Sequence, residues 1–379
     1  MSRDGLRRAR RIVVKVGTSL LAPRDGGVHV RRFAELADEI AGLVANGLQV
    51  VLVSSGAVGL GVRRLGLTER PASIPAKQAA AAVGQIDLCR RFERAFARHD
   101  LLVGQILLTH QGLADRERFL NARQTLHALL ASGVVPLINE NDSVATEELR
   151  VGDNDLLSAM VVNLSGADLL VMLTDTDGLF DGHPNDPGSR RIAEVPQVTR
   201  ALLEVADSRP ADPAAQPGAA VGTGGMRAKL EAARLASRYG VPTVIVDGAH
   251  RGAIGRILHG EDTGTHVHAS SRQLSSRKHW IASLKPRGSL HLDEGAVRAI
   301  TERGRSLLPI GIVEVEGQFG RGDPVRCVAG DGEEIARALS AYDAREVELI
   351  KGQRTPRIEP LLGYTNGDAV AHRDDLVLL

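Results

Sequence analysis

Residues 11–19 read RIVVKVGTS. The first six residues are nearly all apolar and rich in valine, too short for a helix and bounded by glycine, so they predict a buried strand. The strand runs straight into Gly17-Thr18-Ser19. Working outward, residues 28–46 carry Phe33, Leu36, Ala37, Ile40 and Leu43 at helical spacing. A second apolar strand follows, QVVLVSSG (49–56), with a turn dotted by Gly56, Gly59 and Gly61. The alternation continues: helix over 75–98, strand over 101–108, helix over 115–131, strand over 134–139, helix over 153–165 and strand over 167–174. A helix near 226–239 then leads to VPTVIVDG (241–248). Continuous apolar strands alternating with helices predict an α/β fold, a mostly parallel sheet sandwiched between helices. Ligands in such sheets sit beyond the carboxyl ends of the strands, and the polar, glycine-rich motifs of this chain follow strands. Past residue 280 the pattern changes to short strands (308–317, 323–334, 335–342) paired through glycine turns, a small β-rich domain. Residues 207–222, with three prolines, read as a surface loop.

The chain has 379 residues, 47 basic and 46 acidic, a net of +1. That balance removes the crude argument for a nucleic-acid or anionic-membrane partner. Aromatics at 3% count against stacking platforms for single strands. No apolar stretch approaches the length of a membrane span. The run at residues 12–16 is short and holds Lys15, so it is not read as a signal peptide. Cys89 and Cys327 lie far apart, which excludes a disulfide framework and agrees with the cytoplasm. Of the 47 basic residues only six are lysines, at 15, 77, 229, 278, 285 and 351. Where arginine has displaced lysine so widely, the survivors are enriched for places needing a compact point charge.

Five segments carry chemistry. Lys15 stands inside an apolar strand, a costly position unless something anionic meets it; the ordinary alternative is a lysine snorkelling from the strand end. Gly17 allows backbone amides to approach an anion. Ser54-Ser55-Gly56-Ala57 could do the same, or be a plain strand-to-helix turn. Asn139-Glu140-Asn141-Asp142 and Gly152-Asp153-Asn154-Asp155 are dense in polar groups; capping needs only one residue of each. Thr174-Asp175 ends a strand. Gly222 to Lys229, GTGGMRAK, is a glycine loop opening a helix, suited to a phosphate chain. No Walker A sequence occurs. His372-Arg373-Asp374 lacks the context of a protein-kinase loop. His259, His266 and His268 read as solvated boundary residues, since no cysteine or carboxylate stands at a fitting register in the sequence.

The ordered set KVGTS, SSGA, NENDSVA, VGDNDLLSA, LTDTDGL and GTGGMRAK, with DRERFLNAR (115–123), resembles the amino-acid-kinase family. Within it, the pairing of NEND with VGDND is similar to the branch that phosphorylates the γ-carboxylate of free L-glutamate. DEGAVRAITERGRSLLPIGI (293–312) resembles a PUA domain. The resemblance implies a catalytic domain over 1–262, a linker over 263–280 and a barrel-like PUA domain over 281–379. Lys15 and Lys229 would flank the transferring phosphoryl group, with Asp155 orienting both. Ser55, Asp142, Asn154 and Asp153 would hold glutamate. ATP would lie against Lys15, Thr174, Asp175, Thr223, Gly224, Gly225, Met226, Arg227, Ala228 and Lys229. Mg²⁺ would be held largely by the ATP phosphates, so no protein metal ligand is assigned. The loop often has Thr where this chain has Ala228. The resemblance further implies inhibition by proline, a glutamyl-phosphate reductase acting next in the pathway, and a homo-oligomer, dimer or tetramer.

Two other readings bear on function. A sister kinase of the same fold could act on acetylglutamate, aspartate or UMP. An RNA-binding role is suggested by PUA domains elsewhere. Residues 281–379 hold 13 basic and 16 acidic side chains, a net of −3 that speaks against RNA and leaves +4 for the first 280 residues.

Overall fold

The computed structural model describes residues 2–21, 28–145, 153–184, 186–207, 225–270, 278, 281–282 and 284–379, the side chains of 116, 117 and 153 excepted. The loop expected over 207–222 therefore lies outside the described residues from 208 onward. So do Gly152, Thr223, Gly224 and much of the expected linker. The chain divides into two compact units, residues 1–272 and 273–379. Among the described residues, no helix is long and apolar enough to cross a membrane.

The first unit is built on eight strands: β1 (Arg11–Val16), β2 (Gln49–Ser54), β3 (Val103–Leu108), β4 (Val135–Glu140), β5 (Leu169–Thr174), β6 (Glu194–Val195), β7 (Thr243–Asp247) and β8 (Thr265–Val267). Their order across the sheet is β3-β4-β2-β1-β5-β7-β8-β6. The pairings are parallel except β7 with β8, as continuous apolar runs demand of a sheet covered on both faces. Strand order reverses at β1, with β2 on one side and β5 on the other, the switch point at which α/β sheets take ligands. Residues 265–267, inside the stretch expected as a linker, form β8 of this sheet. Three residues are too few for any periodicity to betray a strand.

Two cores separate along the strands by parity. Val13, Val51, Val53, Leu170 and Met172 face one side, under α6 (Arg116–Ala131), α7 (Asp153–Ser165) and α9 (Met226–Arg238). Ile12, Val14, Val16, Leu52, Val171 and Leu173 face the other, under α2 (Val30–Ala45), α4 (Ile74–Ala97) and α10 (Ala253–Leu258). Among the described residues this unit also holds the α-helices α1 (Thr18–Leu21), α3 (Ala57–Arg64), α5 (His110–Ala114) and α8 (Arg200–Ala206). Because side chains alternate along a strand, Lys15 shares the face of Val13 and points under α7 and α9. Helices α3 and α4 cross at glycine: a Cβ on Gly84 would lie 1.8 Å from the Ala57 carbonyl oxygen, and one on Gly61 1.7 Å from that of Ala80. Only bare glycine lets the two backbones approach so closely.

The second unit holds a five-stranded mixed sheet of β9 (Gly288–Leu292), β10 (Ile312–Gly317), β11 (Pro324–Val328), β12 (Glu334–Leu339) and β13 (Leu376–Leu378), ordered β10-β9-β11-β12-β13. Helices α11 (Glu294–Thr301), α12 (Ala344–Ile350) and α13 (Ile358–Leu362) accompany it. Its own core includes Leu290, Ile300, Val325, Tyr342, Val347 and Ile350, all nearly inaccessible.

Candidate active site

The carboxyl ends of β1, β2, β4 and β5 lie side by side, and the expected polar segments leave from them. Val16 is in register with Ser54 on one side and Leu173 on the other. The turn after β2 is tied to β1 by the Ser55 N–H, which donates to the Val16 carbonyl at 3.2 Å. Gly17 donates its N–H to the Leu173 carbonyl at 3.2 Å. Gly56, at φ 110°, makes the left-handed turn into α3 that a side chain would strain. Ser55 is buried beside it.

Lys15 is 4% exposed and Lys229 5%, near-complete burial for two ammonium groups. Both meet Asp155, itself 1% exposed: Lys15 Nζ lies 2.6 Å from Oδ1, and Lys229 Nζ lies 3.5 Å from Oδ2. The three come from different elements, β1, the first turn of α7 and the first turns of α9, so they meet only because α7 and α9 begin over the carboxyl end of β1. The trio carries two positive charges and one negative. Burial drives the Lys229 pKa down, Asp155 pulls it up, Lys15 pushes it down, and Asp175 pulls it up. Asp175 is itself exposed at the end of β5, accepting a bond from Thr174 Oγ1 at 3.2 Å. A buried group of charges with one positive in excess favours an anion, and the neighbouring α9 N-terminus adds to this. Gly225 stands at the N-cap of that helix, so among the described residues no N-cap side chain competes with a phosphate for the first-turn amides. The residues present therefore fit a phosphate chain.

The polar clusters after β4 and before α7 are joined. The Glu140 N–H lies 3.4 Å from Asn154 Oδ1, linking the end of β4 to the start of α7. Asn139, 1% exposed, donates from Nδ2 to Gln85 Oε1 at 2.7 Å, and its Oδ1 accepts from the Glu140 N–H at 2.9 Å. Asp142 sits in the turn that follows β4. Asp153 is the first residue of α7. Met226 and Ala228 stand partly buried in the first turn of α9. Arg227 turns outward to Asp207 (2.5 Å) and Glu231 (3.2 Å), so its guanidinium is engaged at the surface. Thr223 and Gly224 lie outside the described residues.

Sequence reasoning missed Gln85 and His110. Gln85 lies in an Ala-rich helix and its partner is 54 residues away. His110 Nδ1 stands 3.5 Å from the buried Glu140 Oε2, where a lone histidine after a strand gave no signal. Lys77 gains no chemical role here.

A mostly parallel sheet with two lysines and an aspartate buried at its switch point is an arrangement suited to an anionic ligand such as a phosphate group. Residues 10–247 match the model of the amino acid kinase family, and residues 288–362 that of the PUA domain. The chain belongs to the amino acid kinase family. Over its whole length it is similar to proteins called glutamate 5-kinase. Identity is 45% with that of Pelobacter propionicus, covering 100% of both chains. It is 47% with that of Trichlorobacter lovleyi (100% of this chain, 99% of the relative) and 48% with that of Chromohalobacter salexigens (100% and 98%). The solved UMP kinase of Bacillus anthracis matches 69% of this chain and 97% of its own at 16% identity, with a TM-score of 0.48.

Proposed function

We propose that this chain transfers the γ-phosphoryl group of ATP to the γ-carboxylate of L-glutamate, giving L-glutamyl 5-phosphate and ADP. The observation that carries the proposal is the buried Lys15–Asp155–Lys229 trio at the carboxyl ends of β1 and β5. The nucleophile, a carboxylate, is ionised at neutral pH, so no general base is required. The difficulty is electrostatic, since two anions must meet in line. Fixed cations aimed at the developing charge answer it, because they need no reorganisation during reaction. Asp155 holds both ammonium groups on one carboxylate and sets their separation. Ser55, Asp142, Asp153 and Asn154 are assigned to glutamate, and Thr174, Asp175 and the segment Thr223 to Lys229 to ATP. Mg²⁺, which the family's chemistry calls for, would arrive on the ATP phosphates and supply further charge neutralisation. The full-length similarity to the relatives named glutamate 5-kinase supports glutamate over the sister substrates. The same reading carries inhibition by proline and consumption of the acyl phosphate by a reductase.

The test is ADP release by the full chain with ATP and Mg²⁺, comparing glutamate, acetylglutamate, aspartate and UMP. Glutamate is expected to be preferred. Preference for any of the other three would overturn the assignment. Addition of proline to the glutamate assay is expected to slow it.

A further inference from the structure

The sequence reading places His259, His266 and His268 in solvent at a boundary. His259 is exposed, but His266, the central residue of β8, is 0% exposed. The correction follows from β8 lying inside the sheet, between β7 and β6. His268 follows two residues on, on the same face, its N–H bonded to the Val195 carbonyl at 2.9 Å. Parallel pairing sets Glu194 of β6 opposite His266. A carboxylate thus stands in register through the fold where the sequence offered none nearby.

Glu194 Oε2 lies 2.9 Å from His266 Nδ1 and 2.5 Å from His268 Nε2. The imidazoles are stacked, with centroids 4.6 Å apart. One oxygen therefore faces two imidazole nitrogens, and a ligand atom of each residue lies within 4.8 Å of the others. The other His266 nitrogen, Nε2, is buried without a hydrogen-bond partner among the described residues, so its polar outlet is Nδ1. Solvent reaches the cluster from one side, where His268 and Glu194 are 33% and 42% exposed. Glu194 Oε1 is held by Arg3 Nε at 2.7 Å, and Arg3 is fixed in turn by the carbonyls of Ala193 (2.8 Å), Thr263 (2.9 Å) and Gly264 (3.0 Å). Outer partners of this kind orient a ligating carboxylate. Arg3 also places a positive charge nearby, which opposes cation binding.

We propose that Glu194, His266 and His268 bind one zinc-class divalent cation, clamping the short edge strand β6 to β8. Two imidazoles and a carboxylate, with a fourth position open to water, are a donor set that Zn²⁺, Co²⁺ and Ni²⁺ accept. Ligand atoms about 2.0–2.2 Å from such an ion stand roughly 3.3 Å apart in a tetrahedron. The two Glu194–His contacts would lengthen by less than about 1 Å, and the two imidazole nitrogens, within 4.8 Å of each other, would draw together by up to about 1.5 Å. In the metal-free cluster the Nδ1 proton of His266 bonds the Glu194 carboxylate; binding an ion through Nδ1 moves the proton of the neutral ring to Nε2, which has no partner among the described residues, a cost that the ion's bonds must exceed.

The experiment uses the full chain, free of affinity tag and nucleotide and stripped of metal by chelator. Co²⁺ is titrated and visible absorption followed; Zn²⁺ is followed by calorimetry and by thermal unfolding. One Co²⁺ per chain is expected, with visible bands of tetrahedral intensity, and Zn²⁺ raises the unfolding midpoint. His268→Ala and Glu194→Gln, at half-exposed positions and shown folded by circular dichroism, are expected to lose more affinity than the roughly 10–100-fold of an outer-shell change. Wild-type protein that binds either metal no more tightly than the folded variants would overturn the proposal and leave a hydrogen-bonded cluster.

Discussion

Replacing Asp155 by Asn keeps shape and removes one charge from the buried trio. The consequences follow from two distances. At an effective dielectric of about 20, the contact of 2.6 Å to Lys15 is worth about 6 kcal/mol and that of 3.5 Å to Lys229 about 5 kcal/mol in Coulomb energy alone. Most of that offsets the cost of removing the charges from water, so the net stability loss is closer to the roughly 3–5 kcal/mol seen on breaking a buried pair. The two ammonium groups are left facing each other. They repel, and moving apart takes charge from the phosphoryl position. Turnover is expected to fall by about 10²–10³. ATP supplies the missing anion, so it should raise the unfolding midpoint of Asp155→Asn by more than that of the wild type. The assays are glutamate-dependent ADP release and thermal unfolding with and without MgATP. A folded variant with near-normal turnover and an unchanged response to ATP would refute the reasoning.

Three further outcomes are expected. Burial lowers the Lys229 pKa below the ordinary 10.5, and the protonated form is the useful one, so kcat/KM should fall as pH rises through that lowered value. The unfolded chain holds this proton more tightly, so Lys229 costs stability below its folded pKa and the cost fades as pH climbs toward 10.5; Lys229→Arg should abolish the alkaline limb of the rate profile, and a limb left in place would assign it elsewhere. Gly84→Ala drives a methyl group into the Ala57 carbonyl, 1.8 Å away; a loss of about 3 kcal/mol or more is expected in denaturant unfolding, and unchanged stability would mean that α3 and α4 are not so closely crossed. Gln85→Leu leaves the buried Asn139 amide without its 2.7 Å acceptor, at a cost of about 1–3 kcal/mol in denaturant unfolding; because Asn139 and Asn154 both accept from the Glu140 N–H, KM for glutamate should also rise with the ATP response kept, and equal effects on both substrates would make Gln85 purely structural.

The central strands were legible because each is a continuous apolar run closed by a polar or glycine turn, as in residues 11–19 and 167–175. Strands β6 and β8, two and three residues long, carry no such signal; they exist because neighbours supply their hydrogen bonds. Lys15 stood out as a charge in an apolar strand, and Lys229 as a lysine one turn into a helix. That both meet one carboxylate was not readable from spacing, since 74 residues separate Asp155 from Lys229 and only the crossing of α7 and α9 over β1 closes the gap. Gln85 was hidden for the same reason. His266 was misjudged because histidine carries no burial preference strong enough to outweigh polar surroundings in sequence.

The central claim is that the buried trio serves phosphoryl transfer to glutamate. Its most direct test is trapping the product with hydroxylamine: the full chain, ATP, Mg²⁺ and L-glutamate are mixed, and hydroxamate is measured against ADP. The account predicts glutamate-dependent hydroxamate in step with ADP, lost in Lys15→Ala and in Lys229→Ala proteins that remain folded. Folded wild-type protein yielding no glutamate-dependent hydroxamate would contradict it.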